Sequence, residues 1–340
     1  MACNGGIIRV FRRTTSRTKR GRGLRRRRRG IIKTIFWCAL GLLVAVGGAL
    51  LAFSESDSIE IPEEFTGSSD LYFGERRPGS TPTVFAPSIL GDDLHTPPIY
   101  APDGESVYWC QMDSAGTDEI LWMRRVDGVW QPPEVIPFAS RFFESDSPCL
   151  SPDGERIFFT SFRPTSLGRL FAGQETIWYS ERTSSGWGSV KPVPFAGDPP
   201  SAHWSLSITE DGTLYFGFGG EILVATPTAG VYGAPQPIGP PIGSSGRDEM
   251  PYVAPDGSYM LFGSDGHASH LGNTDLYLSI RQPDSTWGRP IHLDSPVSSI
   301  HQDLCPTVSP DGEYLFFLST RRGNHRAFWV DASVVTDLLP

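Results

Sequence analysis

His95, Ser145, His203, Asp248 and Asp303 are widely spaced in the chain, yet each lies eight residues before an Asp-Gly pair. Their neighbours add Asp93, Glu144, Asp146, Arg247, Glu249 and His301. Three of only seven histidines, His95, His203 and His301, fall at this position or two residues from it. Imidazoles and carboxylates gathered at equivalent places have two uses. They can ligate a divalent cation, and they can hydrogen-bond a glycan or an exposed peptide. His95, His203, Asp248 and Asp303 are the candidate metal ligands, for an ion such as calcium. Asp146, Arg247, Glu249 and His301 complete the candidate ligand-binding set. No serine stands in a G-x-S-x-G elbow, although Ser161 and Ser319 follow apolar runs. The glycines at 217–220 are not followed by a helical pattern, so they imply no phosphate loop.

The elements that must position these side chains repeat with them. The Asp-Gly pairs begin at Asp103, Asp153, Asp211, Asp256 and Asp311, at intervals of 50, 58, 45 and 55 residues. Pro precedes four of them, and Glu210 stands in its place in the third. Pro presets φ at the first corner of a turn, Asp tolerates the second, and Gly takes the positive φ that closes it. Five residues before each Asp stands Pro98, Pro148, Leu206, Pro251 or Pro306, and three before it Tyr100, Leu150, Ile208, Val253 or Val308. After the turns come VYW, IFF, LYF, MLF and LFF. Each unit therefore predicts a hairpin of two strands. A third strand follows at 119–125, 175–182, 221–226, 275–281 and 326–331. A fourth carries an aromatic residue and then Pro, as in VWQPPEVIPF and TWGRPIHL, which suits a sheet edge because Pro donates no ladder hydrogen bond. With Gly and Pro making up 67 of 340 residues and no long amphipathic helix after residue 53, the chain reads as all-β. Four strands per unit of this length describe the blades of a β-propeller, packed in a ring because one blade cannot bury both faces.

The Pro-Asp-Gly turn, the aromatic run behind it and the R-x-x-x-x-W-x-x-P ending at Arg125, Trp130 and Pro133 resemble the TolB-type, WD-like β-propeller repeat. The resemblance covers roughly residues 70–331. It implies a fold and leaves function open, since such repeats occur in periplasmic scaffold proteins, in modules attached to peptidoglycan-binding domains, and in propellers of peptidases and polysaccharide lyases. It also implies a structural part for the acidic residue before the Pro, as a carboxylate tying neighbouring blades together. On that reading the ring of polar side chains is scaffold lining a wet channel. The His-rich metal site of the lyases finds no residue-by-residue match here.

Five turns predict five blades of four antiparallel strands, with a degenerate sixth left open. The fifth repeat runs out after RAFWVD, whereas DLYFGERRPGSTPTVFAPSIL near the start reads as a third strand followed by a fourth. Its TVFAPSI is expected to complete the last blade and close the ring. Trp109, Trp122, Trp178 and Trp329 are expected between blades, and Trp130, Trp187 and Trp287 over outer edges.

Charge divides the chain. Residues 1–33 hold thirteen Lys and Arg and no acid, and IFWCALGLLVAVGGALLAF holds no charge. Beyond residue 53, sixteen basic residues face thirty-eight acids, a net charge of −22. An uncharged run of this length rises about 28 Å as a helix, close to a bilayer core. The basic flank predicts a cytoplasmic N-terminus with the rest exported. The reading is a basic tail over 1–33, a signal anchor over 34–53, a linker over 54–69 and the propeller over 70–340. Anchor and cleaved signal remain alternatives, as do the general and the twin-arginine export routes, the latter on Arg28-Arg29-Gly30-Ile31-Ile32-Lys33. A strongly acidic exported part argues against nucleic acid. Cys110, Cys149 and Cys305 are an odd number at wide spacing and imply buried thiols, with no disulfide framework or metal knuckle. The expected protein is a monomeric, membrane-anchored, bacterial, extracytoplasmic propeller that binds an envelope protein or glycan and needs no cofactor. The alternative is a metal-dependent polysaccharide hydrolase or lyase using the His/acid cluster.

Overall fold

A computed structural model of the chain describes residues 67–340 apart from 113–115, 141, 167–172, 185, 199, 204 and 244–245. The basic tail, the anchor and nearly all of the linker lie outside the described residues. Among the described residues no helix is long and apolar enough to cross a membrane.

Five antiparallel sheets follow one another as blades. The first blade runs Ile99–Tyr100, Ser106–Met112 and Asp118–Val126, and the second Ser145–Leu150, Arg156–Ser161 and Thr176–Thr183. The third comprises Leu206–Ile208, Leu214–Phe218 and Glu221–Ala225, and the fourth Asp248–Val253, Tyr259–Ser264 and Asp275–Ile280. The fifth consists of Asp303–Val308, Tyr314–Ser319 and Arg326–Asp331, and its outer strand is Thr83–Val84 from the other end of the domain. Thr83 pairs with Trp329 and Val84 with Phe328. The ring thus closes at five blades, through the segment expected to close it.

The repeated turn is built alike in every blade. Gly104, Gly154, Gly212, Gly257 and Gly312 all have φ between +69° and +82°. Each Asp turns its carboxylate back to accept the amide N–H two residues on, from Glu105, Glu155, Thr213, Ser258 and Glu313 at 2.9–3.0 Å. Asp is thus required twice, for its backbone tolerance and as an acceptor.

Two expectations are corrected. DLYF forms no strand: residues 69–74 make a turn held by Asp70, whose Oδ1 accepts the Tyr72 and Gly74 amides. Tyr72 instead plugs the seam between the last and first blades, edge-on to Tyr100 and Tyr314 at 5.4 and 5.0 Å, with its hydroxyl donating to Asp311 at 2.7 Å. The fourth strand is also broken. Val129–Trp130 folds back on the end of the third strand, and only Glu134–Val135, beyond the two prolines, pairs at the sheet edge. Gly186–Trp187 and Lys191–Pro192 do the same in the second blade.

Apolar residues fill the spaces between blades. Trp122 and Trp178 pack with Ile157 and Phe159 between the first and second blades, while Trp109 and Trp329 pack at the closing seam. Trp187 and Trp287 each meet an aromatic residue of the preceding blade edge-on, Tyr108 at 6.1 Å and Tyr215 at 6.3 Å. Trp130 is more enclosed than an outer-edge residue, buried beneath Phe73 with its indole N–H donating to the Asp70 carbonyl.

Candidate binding cleft at the channel mouth

The first strand of each blade faces a central channel. Near the repeated turns the channel widens into a cavity of about 440 Å³, reached by Tyr100, Leu150, Ile208, Val253 and Val308, one from each blade. Its walls are mostly apolar, and none of the candidate site residues lines it. Those residues lie at the other end of the first strands.

There the strands do not run straight. Ser147, Ser205, Met250 and Cys305, each six residues before its turn Asp, have φ of 50–60°. In the second, fourth and fifth blades the register shifts at that place. This is a β-bulge, which inserts a residue and changes the face presented by everything beyond it. Asp248 and Asp303 are therefore wholly buried, and Ser145 nearly so.

Asp303 accepts Arg321 Nη2 at 2.6 Å and both the amide and the hydroxyl of Ser299, at 2.7 and 2.8 Å. Arg321 also donates to the carbonyls of Pro296 and Val297 in the connector from the previous blade. Arg163 does the same work in the second blade, donating to Ser145, Ser161 and the Phe138 carbonyl. Burial lowers its guanidinium to about 10. Asp248 accepts the Gly243 amide at 2.9 Å and faces His267 at 3.3 Å, and burial raises its carboxyl. These groups tie connectors to blades.

Other candidates come together at one place. His203, Arg247 and Glu249 line a cleft of about 490 Å³ with Glu175, Phe162 and Phe218. His203 Nδ1 lies 2.7 Å from Glu175 Oε2, and this contact raises the imidazole against the opposing effect of burial. Arg247 is 64% exposed and donates to the buried Glu249 at 2.8 Å. The second carboxylate oxygen of Glu249 accepts the Gly220 amide at 2.8 Å. Gly219 and Gly220, at φ of +69° and +88°, turn the tight hairpin that forms one wall. A Cβ on Gly220 would stand 3.3 Å from Arg247 Cγ, so the glycine leaves room for the arginine. Phe162 and Phe218 present exposed aromatic faces. The cleft offers a cation, an imidazole–carboxylate pair and two rings, which suits a polar, ring- or chain-shaped ligand.

His95 and Asp146 meet elsewhere, between the first and second blades. His95 Nδ1 lies 3.2 Å from Asp118 and 3.7 Å from Asp146, and these carboxylates, Asp118 first, raise the imidazole to about 10. Glu144 is raised by burial. His301 is exposed, and Asp93 accepts from Asn324 at 3.0 Å. Thus His95, His203, Asp248 and Asp303 do not share one coordination sphere; each is held by its own neighbours.

Glu175, Phe162 and Phe218 carry no local signal in the sequence, whereas the glycines at 217–220 are visible there without pointing to a cleft. Glu175 sits one residue before a third strand and joins His203 only across 28 residues.

No family model matches the chain, and no curated protein matches it. Solved structures similar to it have low sequence identity. The putative TolB from Agrobacterium tumefaciens is 18% identical, with 67% of this chain and 70% of that one covered and a TM-score of 0.43. TolB from Acinetobacter baumannii is 16% identical, with 70% and 54% covered and a TM-score of 0.43, so the chain spans about half of its length. The gluconolactonase XC5397 from Xanthomonas campestris is 14% identical, with 75% and 97% covered and a TM-score of 0.43. The five antiparallel sheets make this chain, in fold, an all-β, five-bladed propeller, and the solved structures similar to it include the TolB type.

Proposed function

We propose that this chain is a membrane-anchored, extracytoplasmic propeller that binds a protein or glycan of the cell envelope in the cleft at the channel mouth. The observation that carries this reading is the cleft, with Arg247, the His203–Glu175 pair and the faces of Phe162 and Phe218 around about 490 Å³. Aromatic faces stack on apolar ring or side-chain surfaces, and a guanidinium reads a carboxylate or a hydroxyl pair. The anchoring part of the reading rests on the basic and uncharged segments of residues 1–53. The acidic balance of the rest favours neutral or basic partners over nucleic acid.

The test is capture by the full chain, purified in detergent, of proteins from envelope extract and of soluble peptidoglycan and polysaccharide fragments. Arg247→Ala and Phe218→Ala are expected to weaken capture at least about tenfold, the scale of a lost interface anchor. Equal capture by both variants, or none by the wild type, overturns the reading. The alternative of metal-dependent polysaccharide cleavage calls for His95, His203, Asp248 and Asp303 around one ion, and each has separate partners. Turnover of a polysaccharide by the wild type that His203→Ala abolishes would favour that alternative.

A further inference from the structure

Between the first and second blades, away from the cleft, lies a side-chain cluster that this reading does not use. His95 precedes the inner strand of the first blade, Cys110 lies on the second strand, Asp118 opens the third, and Asp146 comes from the inner strand of the second blade. One ligand atom each from His95, Cys110 and Asp118 lie within 4.8 Å of one another, the sole such group of three or more among the described residues. Asp146, from the second blade, lies 3.7 Å from His95 at the border of this group. We infer that His95, Cys110, Asp118 and Asp146 form a binding site for a zinc-like divalent ion that pins the first blade to the second.

Two of the six ligand–ligand edges already have the ion's spacing. Four ligands about 2.0–2.3 Å from zinc at tetrahedral angles stand roughly 3.3–3.8 Å apart. The His95–Asp118 and His95–Asp146 distances of 3.2 and 3.7 Å already span such edges. Cys110 Sγ stands within 4.8 Å of the His95 and Asp118 ligand atoms and Asp146 lies outside that group, so both side chains must rotate inward for the ion to take all four. Asp118 Oδ1 is buried and faces His95 Nδ1 at 3.2 Å. Asp146 is 5% exposed and Cys110 wholly buried, which keeps water from competing for the ion.

The donor set also chooses the metal. A thiolate and an imidazole beside two carboxylates suit zinc or cobalt, whereas calcium takes six to eight oxygens. The ion would therefore differ from the calcium considered on sequence grounds. Binding releases the imidazolium proton of His95 and the thiol proton of Cys110, so the ion's two charges replace two protons. The site shares no residue with the cleft, and Arg247→Ala should leave it intact.

Cobalt(II) titration of the purified full chain tests this. The expected result is one equivalent bound per chain, with the strong visible bands of tetrahedral cobalt and a near-ultraviolet thiolate charge-transfer band, both removed by added zinc. Cys110→Ser should abolish the charge-transfer band, and His95→Gln and Asp118→Asn should each weaken binding at least tenfold. No saturable binding by the wild type, or a charge-transfer band that persists in Cys110→Ser, overturns the site. Should Cys110→Ser fail to fold, the near-isosteric Asp118→Asn decides, because unchanged cobalt affinity in a folded Asp118→Asn protein overturns it equally.

Discussion

Asp303 and Arg321 show how a buried charge becomes scaffold. The carboxylate is fully enclosed and takes three donors, two of them from the connector at Ser299, while Arg321 reaches two carbonyls of the same connector. Removing one partner of such a pair leaves the other charge buried and uncompensated, which costs about 3–5 kcal/mol. Asp303→Ala is therefore expected to lower stability by about that amount in urea melts. A site role for Asp303 would show the opposite pattern, with ligand binding lost and stability kept. The carboxylate that the repeat suggested as a tie between neighbouring blades is, in the fifth blade, a tie to the connector from the fourth. In the second blade the position is Ser145, yet Arg163 makes the equivalent tie through the serine hydroxyl. An arginine makes this tie in the second and fifth blades, whereas in the fourth Asp248 faces His267.

At the scale of the element, the Pro-Asp-Gly turn makes two predictions. Gly312 has φ +74° and open space where a Cβ would go, so Gly312→Ala isolates the conformational penalty, about 1–2 kcal/mol. Gly104→Ala adds a crowded contact of 3.2 Å with Leu71 and should lose more in the same melts. The turn carboxylates predict acid sensitivity. Asp153 lies below the ordinary range because the Ser151 hydroxyl and then the Glu155 amide donate to it. Asp256 is held down first by the Ser258 side chain and then by its amide. A carboxyl depressed on folding contributes stability that is complete above its unfolded value, near 4, and that disappears as pH falls through the folded value. Unfolding free energy should therefore drop progressively below about pH 4, and Asp153→Asn with Asp256→Asn should flatten that acid limb relative to the wild type. A limb unchanged in the double variant would remove the turns from the account.

Across the whole molecule, the ring is held shut by a short outer strand and one aromatic plug. Thr83–Val84 contributes only two paired residues to the last blade. Tyr72, by contrast, touches residues of the first and fifth blades at once, beneath the guanidinium of Arg77 at 4.7 Å. Tyr72→Ala should cost about 3–5 kcal/mol as a buried aromatic truncation. For a domain of this size that is a fall of roughly 10 °C in thermal midpoint, at about 2–4 °C per kcal/mol. Tyr72→Phe loses only the hydrogen bond to Asp311 and should fall by a few degrees at most. Equal losses in the two variants would mean that the hydroxyl, and not the ring, closes the propeller.

The sequence alone determined the turn chemistry and the closing strand and pointed to five blades, with the sixth ruled out only by the closed ring. Each is local: a Pro-Asp-Gly corner, an alternating aromatic run and a missing outer strand are legible within a few residues, and the period repeats them. The cleft and the interblade cluster were decided only in three dimensions. Glu175 meets His203 and Asp118 meets His95 through the packing of neighbouring strands, at sequence separations that no local pattern reports. The bulges decided the rest. Ser147, Met250 and Cys305 take the left-handed conformation although none is a residue that favours it. One inserted residue reverses the faces beyond it, which is why Asp248 and Asp303 turn into the scaffold while Arg247 remains open to a ligand.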